Sequence, residues 1–328
     1  MAKVIAVLGA GNMGTSLAQV LAGNGHRVHI WTLEGQVLEE IQTRHLNPKY
    51  LGDIPLDPAI EVRWSLAEAL NGAALAVLAV PSRAIRSLAQ EVAPHLASGD
   101  TAVLNVAKGL EEGTNLRMSQ VLAQVLPGQP IATMGGPAIA VELARGKPTA
   151  LAVAAAHLSL AEEIRALLEN DVLKVEASTD LCGVELGAAL KNIYAIALGI
   201  CDGLDLGANG KAFVATLALT EMDYIAQALG AQERTLWGVA GVGDFLTTGY
   251  SPHSRNRTLG EKLVTDSGWR QFLATHTVEG VPTCLAMHQL LGSSGIEAPL
   301  LAVVYGVLYQ EREPDDALRR FLRDFSYG

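Results

Sequence analysis

Short apolar runs separated by helix-length segments dominate the first half of the chain. Runs at 4–8, 28–31, 75–80, 102–106, 131–134 and 150–154 read as strands, and most are continuously apolar, as strands buried on both faces require. Their alternation with helical segments predicts a parallel sheet with crossover helices. Between 175 and 179 the pattern changes. From Asp180 onward alanine and leucine predominate with apolar residues at helical spacing, which predicts an all-helical second part. The boundary falls near Ser178, giving an α/β domain over 1–178 and a helical domain over 179–328. Glycine-bearing stretches at 203–210, 238–243 and 249–254 read as loops.

A length of 328 residues supports two domains, each with a full core. Hydrophobic residues make up 49% of the chain, yet a spanning helix needs about 20 consecutive apolar residues. The longest runs, 73–80 and 299–309, stop short of that, so a soluble protein without membrane insertion is expected. The N-terminal lysine and apolar stretch run into glycines without a small-residue cleavage pattern, so no targeting segment is expected. Cys182, Cys201 and Cys284 lie far apart without CxxC spacing, which fits a reducing, cytoplasmic setting. A net charge of −10 argues against nucleic-acid binding. It leaves room for a small anion held by a few local cations. HExxH, Walker A and GxSxG sequences are absent and the histidines lack ligand spacing, so no metal site is expected.

Gly9-Ala10-Gly11-Asn12-Met13-Gly14 follows the first predicted strand and opens a predicted helix over 15–22. In that setting the first glycine permits a tight turn, the second lets the backbone approach a pyrophosphate, and the third lets helix and strand pack closely. The helix N-terminus then offers N–H groups and a positive dipole end to the phosphates. The expected fold is an α/β Rossmann-like N-terminal domain with an all-helical C-terminal domain. Discrimination between the two nicotinamide cofactors is made after the second strand, where an acid favours a free ribose hydroxyl. Glu34 stands there, shortly past the strand's end, and Arg44 is the nearest downstream cation. A solvated helix residue would be the plain alternative for Glu34.

Lysine is scarce, eight against sixteen arginines, so Lys191 within the apolar run 186–198 is informative. Burying an ammonium is costly unless it has a partner, and enzymes use such lysines as acids or bases. Its helical neighbours Gly187, Ala188 and Ala195 are small, which leaves space beside the amine. Lys108 follows the predicted strand 102–106, at the carboxyl end where open α/β sheets bind ligands. Gly135-Gly136-Pro137-Ala138 follows another strand and lets backbone N–H groups approach an anion, although a tight turn is the commoner use. Ser254-Arg255-Asn256-Arg257 gathers hydroxyl, guanidinium and amide donors suited to a phosphate; a solvated basic turn is the alternative. Asp244, among glycines and apolar residues, needs a partner or a capping role.

Taken in order, GAGNMGTSLAQVLAGNGHRVHIW, VAKGLE, GGPAIAVELARGKPTA, ELGAALKNIYAIALGICDGLDLGANGKA, GVGDFLTTGYSPHSRNRTLG and TVEG resemble the bacterial-type NAD(P)-dependent glycerol-3-phosphate dehydrogenases over essentially the whole chain. The resemblance implies a Rossmann domain followed by a helical domain with the active site between them. It also implies interconversion of dihydroxyacetone phosphate and sn-glycerol 3-phosphate with NAD(P)H, feeding glycerophospholipid synthesis. Lys191 matches the family's proton-transfer lysine, and Lys108 matches a residue contacting both cofactor and substrate. Gly136, Ala138, Asp244, Ser254, Arg255 and Asn256 fall on substrate positions. Asn12, Met13, Ala140, Arg255, Thr277 and Glu279 fall on cofactor positions, beside Gly9, Gly11 and Gly14 of the glycine turn. Two departures stand out. Leu33 and Glu34 replace the basic residue or histidine often found after the second strand, which puts an NADPH preference in doubt, and Ala138 lacks a side-chain hydroxyl common at its position. The alternatives are another two-domain reductase, of the β-hydroxyacid dehydrogenase or ketopantoate reductase type, and a dinucleotide sensor without turnover. A homodimer is compatible with apolar helical surface in the second domain.

Overall fold

The structure is a computed structural model that describes residues 2–96, 101–266 and 268–326. Eight strands form one sheet: β1 (Val4–Leu8), β2 (Arg27–Trp31), β3 (Ile60–Val62), β4 (Leu75–Leu78), β5 (Ala102–Asn105), β6 (Ile131–Gly135), β7 (Thr149–Ala155) and β8 (Leu173–Ser178). Their spatial order is β3-β2-β1-β4-β5-β6-β7-β8, so six of them follow the doubly wound 3-2-1-4-5-6 arrangement. All neighbours run parallel except β6 and β7. Leu8 is level with Trp31 of β2 on one side and Leu78 of β4 on the other. The strand order reverses at β1, and such a reversal opens a crevice at the carboxyl ends of the strands.

Two strands escaped the sequence pattern for different reasons. β3 has only three residues. In β8 buried Leu173 and Val175 alternate with exposed Lys174 and Glu176, because an edge strand is half solvated and lacks the continuous apolar run of its inner neighbours.

The helices accompanying the sheet are α1 (Asn12–Gly23), α2 (Gly35–Arg44), α3 (Pro48–Leu51), α4 (Leu66–Leu70), α5 (Ile85–Val92), α6 (Met118–Val125), α7 (Ala140–Ala144) and α8 (Leu158–Leu168). Those that follow are α9 (Leu181–Gly203), α10 (Gly207–Ala228), α11 (Asp244–Tyr250), α12 (Arg255–Thr265), α13 (Trp269–Thr275), α14 (Gly280–Ser294), α15 (Pro299–Tyr309) and α16 (Pro314–Asp324). The chain divides into two compact units. One comprises Met1–Lys108 and Met118–Val184, the other Gly109–Arg117 and Glu185–Gly328. The division differs from a cut at Ser178 in two ways. The first turn of α9 stays with the sheet unit, since Asp180 Oδ1 accepts the N–H of Gly183 and holds the helix start to the end of β8. The segment 109–117 leaves the sheet unit as a small hairpin, closed by pairing of Leu110 with Arg117, and belongs with the helices. Arg117 Nη1 donates to Glu185 Oε2 on α9 at 2.7 Å.

The helical unit is organised on α9. Its apolar stretch, with mean hydropathy 1.4, is the one helix among the described residues long and apolar enough to cross a membrane, and it is wholly buried inside the protein. Counting uninterrupted apolar runs overlooks it because Glu185 and Lys191 punctuate it. Small residues let other backbones close on it. A β-carbon on Gly199 would lie 2.0 Å from the Arg257 carbonyl oxygen, and one on Gly260 would lie 2.0 Å from the Ile196 carbonyl oxygen, so α9 and α12 cross backbone to backbone. Glu221 of α10 accepts from the Tyr194 hydroxyl at 2.7 Å and from the N–H groups of Leu300 and Leu301 at 2.9 and 2.8 Å. One buried carboxylate thus joins α9, α10 and the first turn of α15, and burial pushes its pKa up.

In the sheet unit, the buried His29 on β2 is held at both ring nitrogens. Nε2 lies 2.9 Å from Arg63 Nη2, which can only donate, so Nδ1 carries the hydrogen and donates to the Ala69 carbonyl at 3.0 Å. Burial, and after it the Arg63 charge, hold the His29 pKa below its ordinary 6.5, as the backbone bond to Ala69 opposes them. Below pH about 6.5 the unfolded chain therefore takes up a proton that the folded ring refuses, and stability falls as pH drops. Urea midpoints measured between pH 7.5 and 5 should decline, and His29→Gln should flatten that decline.

Candidate active site

The sheet unit presents a glycine turn between β1 and α1. Gly9 has φ of +115°, and a β-carbon there would lie 2.4 Å from the Ala79 carbonyl oxygen. On Gly14 a β-carbon would lie 1.9 Å from the Gly9 carbonyl oxygen, so this position must be bare for helix and strand to pack. Gly11 is different. It has an ordinary φ of −75°, and a β-carbon there would meet no atom of the described residues within 4 Å. Nothing in the fold demands glycine at that position, whereas a dinucleotide lying against the backbone does. Gly11 caps α1 without a side chain, so Asn12, Met13 and Gly14 begin the helix with no side-chain acceptor for their N–H groups at the cap. The donor set and the bare turn fit a pyrophosphate.

Neighbouring segments are fastened to this turn. Asn47, fully buried, donates to the Ala10 carbonyl and to Thr15 Oγ1, both at 2.9 Å. Asn12 Nδ2 donates to the Tyr50 carbonyl at 3.1 Å. Ser16 Oγ lies 2.7 Å from the Ala140 carbonyl, which draws the start of α7 onto α1. Past β5, the buried Asn105 folds the chain back by bonding both the N–H and the carbonyl of Ala107, and Lys108 Nζ then reaches the Gly136 carbonyl at 3.1 Å. Gly136 itself has φ of +125°. Lys108 and Gly136, singled out separately in the sequence, are thus in contact, with half-exposed Ala138 two residues further on.

At the end of β2, Glu34 is no lone solvated acid. Its carboxylate pairs with Lys49 and accepts from the Tyr50 hydroxyl, and these two hold its pKa below the ordinary carboxylate range. Arg44 is turned away and pairs with Glu40 one turn back on α2 at 2.8 Å.

In the helical unit, Lys191 and Asp244 meet. Lys191 Nζ donates to Asp244 Oδ1 at 2.8 Å and to Thr248 Oγ1 at 2.6 Å, with side chains of lysine and aspartate only 7% and 2% exposed. The space expected beside the amine at Gly187 is filled by backbone: a β-carbon there would lie 2.5 Å from the Ala240 carbonyl oxygen. Small residues on α9 serve close packing of the 239–243 segment, which is a π-helical turn and not a loop, leading directly into Asp244 at the head of α11. Thr248 was missed by sequence reasoning, although its spacing four residues after Asp244 puts both on one helix face.

The Ser254-Arg255-Asn256-Arg257 segment does not act as one group of donors. Ser254 Oγ caps α12 by accepting from the Arg257 N–H at 3.2 Å. Arg257 is committed to Asp202, which also holds Lys211. Asn256 is buried between helices: Nδ2 donates to Asn192 Oδ1, and Oδ1 accepts the N–H of Gly280, both at 2.9 Å. Asn192, beside Lys191, is a second residue the sequence reading passed over. Exposed Arg255 approaches the Thr277 carbonyl at 3.4 Å, and Glu279 closes the same segment just before α14.

Comparison with known proteins bears on the chain as a whole. Residues 4–161 match the family described as NAD-dependent glycerol-3-phosphate dehydrogenase N-terminus, and residues 180–319 match its C-terminus. Glycerol-3-phosphate dehydrogenase [NAD(P)+] of Exiguobacterium sp. is 37% identical over 324 residues, covering 97% of this chain and 95% of that protein. The crystal structure of glycerol-3-phosphate dehydrogenase from Coxiella burnetii superposes with a TM-score of 0.93 at 32% identity, covering 98% of this chain and 99% of that one. A ketopantoate reductase from Ralstonia eutropha shares the fold alone, with a TM-score of 0.61 at 18% identity. With a dinucleotide turn in one unit, a buried lysine–aspartate pair in the other and relatives matched from end to end, the chain belongs to the NAD(P)-dependent glycerol-3-phosphate dehydrogenase family.

Proposed function

We propose that this chain interconverts dihydroxyacetone phosphate and sn-glycerol 3-phosphate, with Lys191 moving the proton, and that the reaction serves glycerophospholipid synthesis in the cytoplasm. The observation that carries the reading is the Lys191–Asp244–Thr248 cluster, a charged amine buried in an apolar helix with a carboxylate to keep it protonated. A packing role alone would not call for such a group, since apolar residues of similar volume fill a core at least as well.

A bound nicotinamide cofactor would supply a hydride equivalent for the ketone carbon in one direction and take it up in the other. As that carbon becomes tetrahedral, negative charge grows on its oxygen, and the Lys191 ammonium gives it a proton, leaving a secondary alcohol and a neutral amine. Asp244 orients the amine and favours its charged form before transfer; Thr248 fixes its rotamer. Lys108, held by Gly136, is assigned to hydrogen-bond the same substrate and to touch the cofactor. Arg255 is the residue assigned to the phosphate, as it is exposed and its contact to the Thr277 carbonyl is long, at 3.4 Å. Ser254 and Asn256 support it: one starts the helix that carries Arg255, the other ties that helix to α9 and α14. Binding energy from the phosphate, remote from the reacting carbon, then helps orient the ketone.

Steady-state assays should show reduction of dihydroxyacetone phosphate and none of 2-keto acids or ketopantoate; dinucleotide binding without turnover would support a sensor instead. Lys191→Ala should lower kcat by about 100- to 10,000-fold. Undiminished activity in that variant would remove Lys191 from the mechanism. In the oxidative direction the amine must be neutral to take the alcohol's proton, so kcat for glycerol 3-phosphate oxidation should rise with pH and flatten once Lys191 is deprotonated. The two glycines of the turn should separate folding from binding. Gly11→Ala should lower stability by no more than about 1 kcal/mol, as a poorer helix cap, yet weaken dinucleotide binding, whereas Gly14→Ala should lower the thermal midpoint further even without ligand.

A further inference from the structure

We propose that Lys49 decides how well this chain accepts a 2′-phosphorylated dinucleotide, by exchanging Glu34 for the phosphate. The inference rests on the dehydrogenase reading for the presence of a dinucleotide and goes beyond it in assigning the discriminating residue.

Three placements carry it. First, the Gly9 N–H donates to the Trp31 carbonyl at 2.7 Å, which fixes the end of β2 against the glycine turn. An acid just past that strand lies where the adenosine ribose is read, and Glu34 is that acid, at the cap of α2. Second, the segment bearing Lys49 and Tyr50 is fastened to the same turn, by Asn47 on Ala10 and Thr15 and by Asn12 on the Tyr50 carbonyl. Lys49 is therefore held beside the nucleotide turn although it is remote from it in sequence. Third, the lysine contacts Glu34 while its side chain is 58% exposed and that of Glu34 is 38% exposed. An exposed pair of this kind is screened by water and salt and is readily opened.

These placements have unequal consequences for the two dinucleotides. A ribose with a free 2′-hydroxyl can donate to Glu34 while Lys49 and Tyr50 remain on the carboxylate. A 2′-phosphate brings a second anion toward Glu34, so the lysine must change partners and the carboxylate must turn out to solvent. Leu33, 86% exposed, has no charge to offer, and Arg44 stands at the far end of α2, about 15 Å of helix away from the Glu34 cap. The wild-type chain thus prefers NADH, and its NADPH use runs through Lys49.

The test is direct titration of NADH and NADPH by nicotinamide fluorescence, in parallel with kcat/KM for dihydroxyacetone phosphate, in wild type, Lys49→Met, Lys49→Arg and Glu34→Gln, each checked by thermal melting. Wild type should bind NADH more tightly. Lys49→Met should lower the NADPH-to-NADH affinity ratio by about tenfold or more, Lys49→Arg should keep the ratio near wild type, and Glu34→Gln should raise it by about tenfold. A ratio unmoved by Lys49→Met, or a wild-type preference for NADPH, overturns the proposal. Binding ratios that shift as expected without turnover of dihydroxyacetone phosphate would leave it standing and overturn the enzymatic reading.

Discussion

An ammonium placed midway along a buried helix must be given a counter-charge, and much of the helical unit answers that requirement. Asp244 supplies it at 2.8 Å. For the carboxylate to arrive there, the chain before it has to close on α9, which it does at Gly187 against the Ala240 carbonyl, through a π-helical turn. The extra residue of a π turn re-aims the next helix, and here it sets Asp244 and Thr248 on the face toward Lys191. α12 then crosses α9 at Gly199 and Gly260, where the amides of Asn192 and Asn256 bond across the junction. Loss of either charged partner would break an ion pair in a largely buried site, at a cost of about 3–5 kcal/mol. Chemistry and packing therefore constrain the same residues.

Lys49 shows the opposite use of the same side chain. The Lys191 pair is sealed, with side chains 7% and 2% exposed, which suits the proton-transfer role proposed for Lys191. Lys49 faces solvent, and its tie to Glu34 is weak enough to be traded. Lys108 is half-exposed and donates to the Gly136 carbonyl, a neutral acceptor.

The parts of the fold that were legible in the sequence are those with a local signature. Inner strands such as β4 and β6 announce themselves by unbroken apolar runs, and the glycine turn by its spacing between strand and helix. Lys191 was visible because a charge inside an apolar helical run has few explanations, and Asp244 because a carboxylate among glycines needs a partner, which is Lys191, 53 residues earlier in the chain. What could not be read depends on tertiary contact. β8 hides behind edge alternation, Glu34 could not be told from a solvated acid without seeing Lys49 and Tyr50, and the four residues from Ser254 to Arg257 look alike as donors until the fold gives each a separate employment. The small residues around Lys191 suggested room; at Gly187 another backbone occupies it.

The hairpin 109–117 carries a consequence for how the molecule comes into being. It is made early, between β5 and α6 of the sheet unit, yet its structural companions lie from Glu185 onward. Arg117 emerges from the ribosome 68 residues ahead of the glutamate it bonds. During synthesis the sheet unit must close around a loop whose own anchoring is deferred, so the two halves are interleaved in time as well as in sequence. A fragment cut at any single point between them would carry the hairpin away from the helix that seats it. Evolutionary shuffling of this sheet onto a different helical partner would therefore have to bring along, or rebuild, a nine-residue insert far from the fusion point.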